Sequence, residues 1–278
     1  MTCERKTIAG KKVTDTSLRA KAQQMREAQE KAERRTRSII IAVVTVIVIA
    51  VIATVGVIIS QQISAKNEAQ NANPSDYLGD YASGQPIRYS HLGIGQVDDS
   101  LPTVTEYFDY SCHHCANLEV LIGKDLLAGA DNGEYNIEFQ PVKTVGMEYA
   151  NVATSASLIV AQRDPEHWGA FHQGLMAYFA AQYKAGNGTV IQNATNSWEQ
   201  VKTIASQVGV SSDVVSSLPV NVATDYLTTA TDTWSNANFT NRESKGTPEF
   251  IKDHTDKLTL SGSDSASIMA SLRSGLGL

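Results

Sequence analysis

The 278-residue chain is acidic overall, with 23 Lys and Arg residues against 29 Asp and Glu residues. That sum combines a basic part, residues 1–37, in which eleven Lys/Arg face five Asp/Glu (+6), with an acidic remainder in which twelve face twenty-four (−12). An acidic remainder gives no electrostatic reason to expect nucleic-acid binding.

The first predicted element is a membrane-spanning helix. The run Ile39–Ile59 contains 21 residues without a charge, and as a helix it measures about 31 Å, close to the thickness of a bilayer's hydrocarbon core. A buried core helix is rarely apolar on every face, and a cleaved signal peptide normally has a shorter apolar stretch nearer the N-terminus. The sequence therefore predicts an uncleaved transmembrane helix over 38–60. The basic residues before it place a tail, 1–37, in the cytoplasm and the C-terminal part outside.

Residues 61–85 are rich in Asn, Gln, Ser and Ala and include Pro74 and Gly79, so they are predicted to form a flexible linker. Beyond them, residues 86–278 alternate strand and helix patterns, which indicates an α/β fold. Strands are predicted at Leu101–Tyr110, Tyr135–Val142, Glu249–Lys252 and Lys257–Leu260. Helices are predicted at Cys112–Leu127, with Ser111 as the N-cap, and from about Asp264 onward.

Between the second and third of these strands, over about 146–243, the pattern is helical. Asp164-Pro165 combines an N-cap residue with a helix-starting proline. Aromatic and aliphatic residues then recur at helical spacing, at Trp168, Phe171, Leu175, Tyr178 and Phe179. Another helix, Trp198–Val208, ends before Gly209, which suits a helix C-terminus. The helical block is therefore predicted to be an insertion within the α/β unit.

Three cysteines are present, and only two follow the predicted membrane span. Cys3 precedes the span and is expected to be a free cytoplasmic thiol. Cys112 and Cys115 enclose His113 and His114 where a predicted strand ends and a helix begins. The helix N-terminus and the two imidazoles are expected to lower the pKa of Cys112. Cys115, one turn further along, is placed to resolve a mixed disulfide.

An inert disulfide and a zinc site are the alternatives for this Cys-x-x-Cys motif. A disulfide that closes so short a loop constrains the unfolded chain very little. A zinc site needs two further ligands, and there is no second cysteine pair, so no metal is expected. The histidines elsewhere are isolated: His91, His167, His172 and His254. His167 and His172, five positions apart in a predicted helix, are expected to be structural or surface residues.

The stretch VTEYFDYSCHHC, residues 104–115, resembles the active-site strand and helix start of DsbA-type members of the thioredoxin superfamily. The stretch GTPEF, residues 246–250, resembles their second active-site loop, and HWGAFHQGLM, residues 167–176, resembles their aromatic helix. The resemblance spans about Tyr89 to Leu276. It implies a thioredoxin-like α/β fold with an inserted helical subdomain, here preceded by one transmembrane helix.

The resemblance also implies roles for individual residues. Cys112 would be the nucleophile and Cys115 its buried partner. Pro248 would follow a cis peptide bond, which places the backbone of Thr247 beside the disulfide to pair with an extended substrate. Glu106 falls where many relatives carry a buried acid that assists proton transfer at the inner thiol, and the alternative for it is a solvent-facing strand residue.

The function implied by this resemblance is that of a thiol–disulfide oxidoreductase anchored in the plasma membrane. It would introduce disulfides into unfolded or reduced exported proteins, need no bound cofactor, and be reoxidised by a quinone-linked membrane partner. The family usually has proline at the position of His113 and varies at that of Thr247, so a reductase or isomerase stays open. A membrane-tethered binding or chaperone module without redox turnover is the alternative of a different class.

Overall fold

The computed structural model describes residues 72–278, and this part of the chain contains a six-stranded sheet. Its strands are β1 (Ile87–Ser90), β2 (Gly93–Ile94), β3 (Thr103–Phe108), β4 (Asn136–Pro141), β5 (Glu249–Lys252) and β6 (Asp256–Leu258). Across the sheet their order is β2-β1-β4-β3-β5-β6. Strands β3 and β4 are parallel, and the other neighbouring pairs are antiparallel. The four predicted strands are confirmed, with ends shifted by at most two residues.

The parallel pair at the centre of the sheet positions the cysteine motif. Parallel strands need a long crossover between them, and here it is the helix α2 (His113–Asp131). Because β3 lies between β4 and β5, the chain leaves the middle of the sheet and enters α2 directly at Cys112. The motif therefore stands on two rigid elements.

The other helices of the described residues are α1 (Pro74–Leu78), α3 (Glu148–Arg163), α4 (Pro165–Lys184), α5 (Gly188–Ile191), α6 (Ala194–Gln207), α7 (Ser212–Ser217), α8 (Thr224–Asn236) and α9 (Ser265–Leu276). A 3-10 turn follows α1 at Gly79–Ser83. Helices α3 to α8 lie between β4 and β5, within the range predicted for the helical block. Gly209, at φ 94°, follows Val208, the C-cap residue of α6, and closes this helix as predicted, since glycine adopts this left-handed conformation without strain.

An aromatic cluster forms the core beneath α2 and α4. The ring of Trp168 lies 5.0 Å from that of Phe139 and 5.1 Å from that of His172. Phe108, at the end of β3, packs edge-on against Tyr110 with the ring centroids 5.0 Å apart. The aromatic face of α4, predicted from helical spacing, is thus buried, with Trp168 against β4 and Phe179 against Tyr149 of α3.

The flexible linker predicted over 61–85 is wrong for residues 74–83. Asn73 caps α1 by accepting a hydrogen bond from the amide of Ser75, and Leu78 is 1% exposed. The hydroxyl of Tyr226 donates to the carbonyl oxygen of Gln85, 2.9 Å away. The buried leucine and the hydrogen bond from Tyr226 hold the segment to the domain, although its average composition is polar.

Within residues 72–278, no helix combines the length and the apolar character needed to cross a membrane. The predicted transmembrane helix over 38–60 lies outside the described residues. So do the basic tail over 1–37 and Cys3.

Candidate active site

The cysteine motif lies where β3 meets α2. Cys112 itself occupies the N-cap position of α2, with extended backbone angles, so the prediction of Ser111 as the cap is wrong by one residue. The amide of Ser111 donates instead to Oδ1 of Asp109, 2.7 Å away. Cys112 is 5% exposed, and Cys115 is completely buried one helical turn further along. Both thiols are free in this structure.

The environment of Cys112 favours the thiolate. Its pKa falls from an ordinary value of 9.0 to about 5, mainly because the Cys115 side chain hydrogen-bonds to its sulfur. Burial opposes this change, while the backbone of Cys115, the side chain of Thr247 and the backbone of His114 add further hydrogen bonds that lower the pKa. Backbone N–H groups at the helix N-terminus thus stabilise the negative sulfur, as the sequence predicted.

Cys115 has the opposite environment. Burial raises its pKa well above the ordinary value, and the hydrogen bond to Cys112 and the negative charge on Cys112 raise it further. The pair therefore has an ionised outer sulfur and a protonated inner one. Such an asymmetry suits thiol–disulfide exchange. The ionised Cys112 can act as nucleophile or leaving group, and the protonated Cys115 can resolve the mixed disulfide.

His113 and His114 lie beside each other at the start of α2. Their ring centroids are 3.9 Å apart, and His113 stacks on Tyr183 of α4 at 4.7 Å with an interplanar angle of 5°. The causes that lower the pKa of Cys112 are hydrogen bonds, and the imidazole charges are not among them. The sequence-based expectation was therefore right about the helix N-terminus, whereas the histidine side chains instead form an exposed aromatic surface next to the sulfur.

The second predicted loop meets the motif. The Thr247–Pro248 peptide bond is cis, as the resemblance implied. The Cys112 sulfur lies 3.4 Å from the carbonyl oxygen of Thr247, to which the thiol form donates. Residues separated by 135 positions in the chain thus meet within hydrogen-bond distance.

Glu106 is buried in the middle of β3, at 2% exposure, so the solvent-facing alternative is wrong. Burial raises its pKa well above the ordinary value, and the negative charge of Glu119 raises it further. Glu119 is also buried, one helical turn beyond Cys115. Its Oε1 lies 3.7 Å from Nε2 of His172. A buried group of acids and an imidazole thus lies behind the redox pair.

Sequence reasoning missed three residues of this site, and two of them, Glu119 and Asp109, left a signal in the sequence. Glu119 follows Cys115 by four positions, which places both on one face of a helix. Asp109 directly follows the central strand. His172 was assigned a structural or surface role, and the structure places it 1% exposed within the buried polar group. The other predicted structural histidine, His167, lies apart and bonds to Asp164 at 2.6 Å.

Histidines elsewhere in the described part pair with single acids. His91 lies 3.6 Å from Asp98, and His254 lies 2.9 Å from Glu138. Among residues 72–278, no group of three or more His, Cys, Asp or Glu side chains is arranged to hold a metal ion.

An open groove of about 370 Å³ runs beside the cis-proline loop, and its walls combine apolar side chains with polar ones such as Glu249, Lys257 and Thr259. The apolar ones include Leu118, Pro248, Phe250, Leu258, Leu260 and Ile268. Exposed apolar side chains of α2 and of the loop after β4 are also present, at Val120, Leu121 and Val145. The surface next to Cys112 therefore offers apolar contacts to a partner chain.

No family model and no curated protein matches this chain. Among solved structures, MdbA, a thiol-disulfide oxidoreductase from Actinomyces oris, matches at 22% identity over 73% of this chain and 99% of MdbA, with a TM-score of 0.56. MdbA from Corynebacterium diphtheriae matches at 16% identity over 65% of this chain and 94% of its own, with a TM-score of 0.46. BdbD from Bacillus subtilis matches at 18% identity over 70% and 94%, also at 0.46. The first comparison confirms the predicted DsbA-type thioredoxin-like fold for the described residues.

Proposed function

We propose that this chain is a membrane-anchored thiol–disulfide oxidoreductase that introduces disulfides into exported proteins. The observation that carries the proposal is the asymmetry of the cysteine pair: the pKa of Cys112 is about 5, whereas that of the buried Cys115 is raised. An inert structural disulfide does not require an outer thiol with a low pKa, whereas a reactive cysteine does. The fold shared with MdbA agrees with the same activity.

The acidic Cys112 favours the oxidising direction. A hydrogen-bonded thiolate stabilises the reduced form of the enzyme, and a stable reduced form makes the disulfide a stronger oxidant. A low pKa also makes the Cys112 sulfur a good leaving group. Both effects favour donation of disulfides over reduction of them.

The reaction begins with a substrate thiolate that attacks the sulfur of Cys112 in the Cys112–Cys115 disulfide. The bond between the two enzyme sulfurs breaks, a mixed disulfide forms, and the sulfur of Cys115 accepts a proton. A second substrate thiolate then attacks the substrate sulfur of the mixed disulfide, and Cys112 leaves as a thiolate. Two electrons have passed from substrate to enzyme, and the substrate holds a new disulfide.

Glu106 is the proposed source of the proton for Cys115. It is a buried acid whose pKa burial raises well above its ordinary value, so it keeps its proton to a higher pH than an exposed carboxyl does, and it is protected from solvent. Cys115 is buried as well and therefore needs an internal donor when it leaves as a thiolate. Reoxidation of the pair would return this proton.

Substrate binding is assigned to the cis-proline loop and the groove beside it. The backbone of Thr247 would pair with an extended segment of a reduced or unfolded exported protein, and the apolar walls of the groove would take its side chains. The segment over 38–60 would anchor the domain in the plasma membrane with its C-terminal part outside. A quinone-linked membrane partner would restore the disulfide.

The test is the equilibrium redox potential of the protein against glutathione. A value near about −120 mV supports a donor of disulfides, and one near about −270 mV indicates a reductase. Cys112→Ser is the matched control, because it removes the nucleophile and should abolish exchange. If the wild-type pair cannot be cycled, the enzyme proposal fails and a binding or chaperone module becomes the leading account.

A further inference from the structure

Glu119 lies on the buried face of α2, one helical turn beyond Cys115. Residues four apart on a helix have Cβ atoms about 5–6 Å from each other, so the neighbours of Glu119 along this face are Cys115 on one side and Gly123 on the other. Gly123 is buried as well. The carboxyl of Glu119 can therefore extend along the helix in two directions, towards the redox pair or away from it.

The Glu119 side chain extends away from the redox pair. A Cβ atom built on Gly123 would lie only 2.0 Å from Oε1 of Glu119, 2.4 Å from its carboxyl carbon and 3.0 Å from Oε2. The carboxyl thus occupies the space that a side chain at position 123 would need. Long side chains on a helix usually lean towards its N-terminus, which for Glu119 is the direction of Cys115. Glycine at position 123 therefore permits an orientation that any other residue would obstruct.

His172 of α4 meets the carboxyl in this position, with its Nε2 3.7 Å from Oε1 of Glu119. The imidazole itself is held by its neighbours. The hydroxyl of Tyr110 donates to Oγ of Ser157 at 2.8 Å, so the Tyr110 oxygen is left to accept from Nδ1 of His172, also at 2.8 Å. Trp168 stacks on the ring with the centroids 5.1 Å apart. Nε2 is thus the ring nitrogen that faces Glu119.

We propose that Gly123 and His172 are positioning residues that keep the negative charge of Glu119 away from the Cys112 sulfur. Gly123 leaves room for the carboxyl on the side of residue 119 that is further from the sulfur, and His172 contacts it there. The inference rests on the proposed function, since it concerns the charge around the same sulfur. A negative charge nearer to Cys112 opposes formation of the thiolate, and a less stable thiolate makes the disulfide a weaker oxidant.

The other titratable side chains around Glu119 are buried too. They are Cys115 on α2, Glu106 on β3, and Tyr110 between these elements. Burial raises the pKa of all three groups, and the negative charge of Glu119 raises those of Glu106 and Tyr110 further. Charges inside a protein are screened much less than exposed ones, so a displacement of this carboxyl by a few ångströms should be measurable at the sulfur.

The test displaces the carboxyl with and without its charge. Gly123→Ala adds the Cβ atom that would overlap the carboxyl, and so moves the side chain towards Cys115. The same substitution in a Glu119→Gln background moves an uncharged side chain of nearly the same shape. Gly169→Ala is the matched control: its Cβ would lie 3.1 Å from Cδ1 of Leu127 on α2, which crowds the same helix without displacing a charge.

The experiment is a thiolate-absorbance titration of the reduced full-length chain in detergent, with Cys3→Ser in every sample so that the signal comes from the pair. Gly123→Ala is expected to raise the pKa of Cys112 by about 0.5, because the negative charge comes closer through the protein. The equilibrium constant for reduction by glutathione at pH 7 should then fall about threefold, the factor that corresponds to 0.5 in pKa. Gly169→Ala should keep the wild-type pKa, and Gly123→Ala in the Glu119→Gln background should keep that of Glu119→Gln.

Glu119→Gln alone provides a second measurement that does not depend on the folding of Gly123→Ala. It removes the charge from its native position, and since that position is far from the sulfur, the pKa of Cys112 should fall by less than about 0.3. A larger fall would show that the native carboxyl already acts strongly on the sulfur, which contradicts the proposal.

An unchanged pKa in Gly123→Ala overturns the proposal. An equal rise in the Glu119→Gln background or in Gly169→Ala also overturns it, because either result would trace the effect to packing. Failure of the proposed function gives a different result. In that case the wild-type thiol titrates near its ordinary value of about 8.5 and the pair does not cycle with glutathione. The two failures are therefore distinguished within one set of samples.

Discussion

Oε1 of Glu119 lies 3.7 Å from Nε2 of His172, and both side chains are almost completely buried. On its other side the imidazole has Nδ1 2.8 Å from the hydroxyl of Tyr110. The Glu119 charge contributes to the raised pKa of Glu106 on the central strand. Burying acidic side chains costs free energy, and such clusters of buried titratable groups are typical of functional sites.

Glu106→Gln is expected to change how stability depends on pH. The folded protein keeps the Glu106 proton at pH values where the unfolded chain, with a pKa of about 4.3, has lost it. The unfolded state then binds fewer protons, so stability falls as the pH rises above about 4.3 towards the folded pKa. The glutamine variant lacks this loss. Between pH 4.5 and 7 its melting temperature should therefore fall less than that of the wild type. The difference is about 2–4 °C for each 1 kcal/mol of pH-dependent unfolding free energy that the substitution removes.

Circular dichroism melting curves at the two pH values measure this difference. Glu243→Gln is the control, because Glu243 is exposed and should leave the pH dependence unchanged. Equal pH dependence in wild type and Glu106→Gln would contradict a raised pKa at this carboxyl.

Cys115→Ala is expected to trap a mixed disulfide. Cys112 remains as the nucleophile, but the thiol that resolves the intermediate is gone. In a Cys3→Ser background treated with oxidised glutathione, the variant should accumulate one glutathione adduct per chain, detected by intact-mass spectrometry. The wild-type pair should finish as an internal disulfide, and Cys112→Ala should stay unmodified. An adduct on Cys112→Ala would show that the buried Cys115 is open to attack.

Combined replacement of His113 and His114 by alanine is expected to raise the pKa of Cys112 by less than about 0.5. The reason is that hydrogen bonds from Cys115, Thr247 and the helix N-terminus produce the low value, and alanine keeps the backbone donors. Cys115→Ala should raise the same pKa by about 1–2, the equivalent of one hydrogen bond to a charged group. Thiolate absorbance measures both, and a larger rise in the histidine variant would show that imidazole charge dominates.

Arg242→Ala is expected to destabilise the fold near the cis-proline loop. The guanidinium lies 2.7 Å from Glu249, and both side chains are buried; Glu249 directly follows Pro248. Removing the arginine leaves a buried charge with less compensation, which costs about 3–5 kcal/mol, although Lys257 at 3.2 Å offsets part of this. Chemical denaturation should show the loss. Lys202→Ala, at a more exposed pair, should cost no more than about 1 kcal/mol.

A chain that begins at Pro86 is expected to be less stable than one that begins at Ala72. The shorter chain lacks α1 and the buried side chain of Leu78. Leu78→Ala isolates this contribution and should cost about 2–5 kcal/mol, as removal of a buried leucine does. Urea denaturation of the two chains and of the variant tests the prediction. Equal stability of the two chains would instead support the linker boundary at residue 85 that composition predicted.

Although β1 and β2 were not predicted, local sequence patterns were enough to identify the other four strands, the aromatic face of α4 and the strand-to-helix junction at Cys112. Each depends on residues within a few positions of one another, and hydrophobic periodicity and capping preferences act over that range. Leu78 shows the limit of the method: a single apolar residue in a polar segment has no periodicity, and its burial depends on distant helices. The one-residue error at Ser111 is local in origin: Asp109, two positions earlier, accepts the amide of Ser111, and the cap falls on Cys112.

The sequence by itself determined the cysteine pair and its place at a helix N-terminus, and the resemblance to DsbA-type proteins implied the cis bond before Pro248. Only the tertiary structure decided what surrounds the sulfur. Thr247 reaches Cys112 from 135 positions away, and Glu119 meets His172 from another helix. Such contacts depend on how strands and helices pack, and packing is set by the whole core. The pKa of Cys112 is lowered mainly by its hydrogen bond with Cys115 and to a smaller extent by Thr247 from across the fold, whereas the sequence assigned part of this effect to the neighbouring histidines.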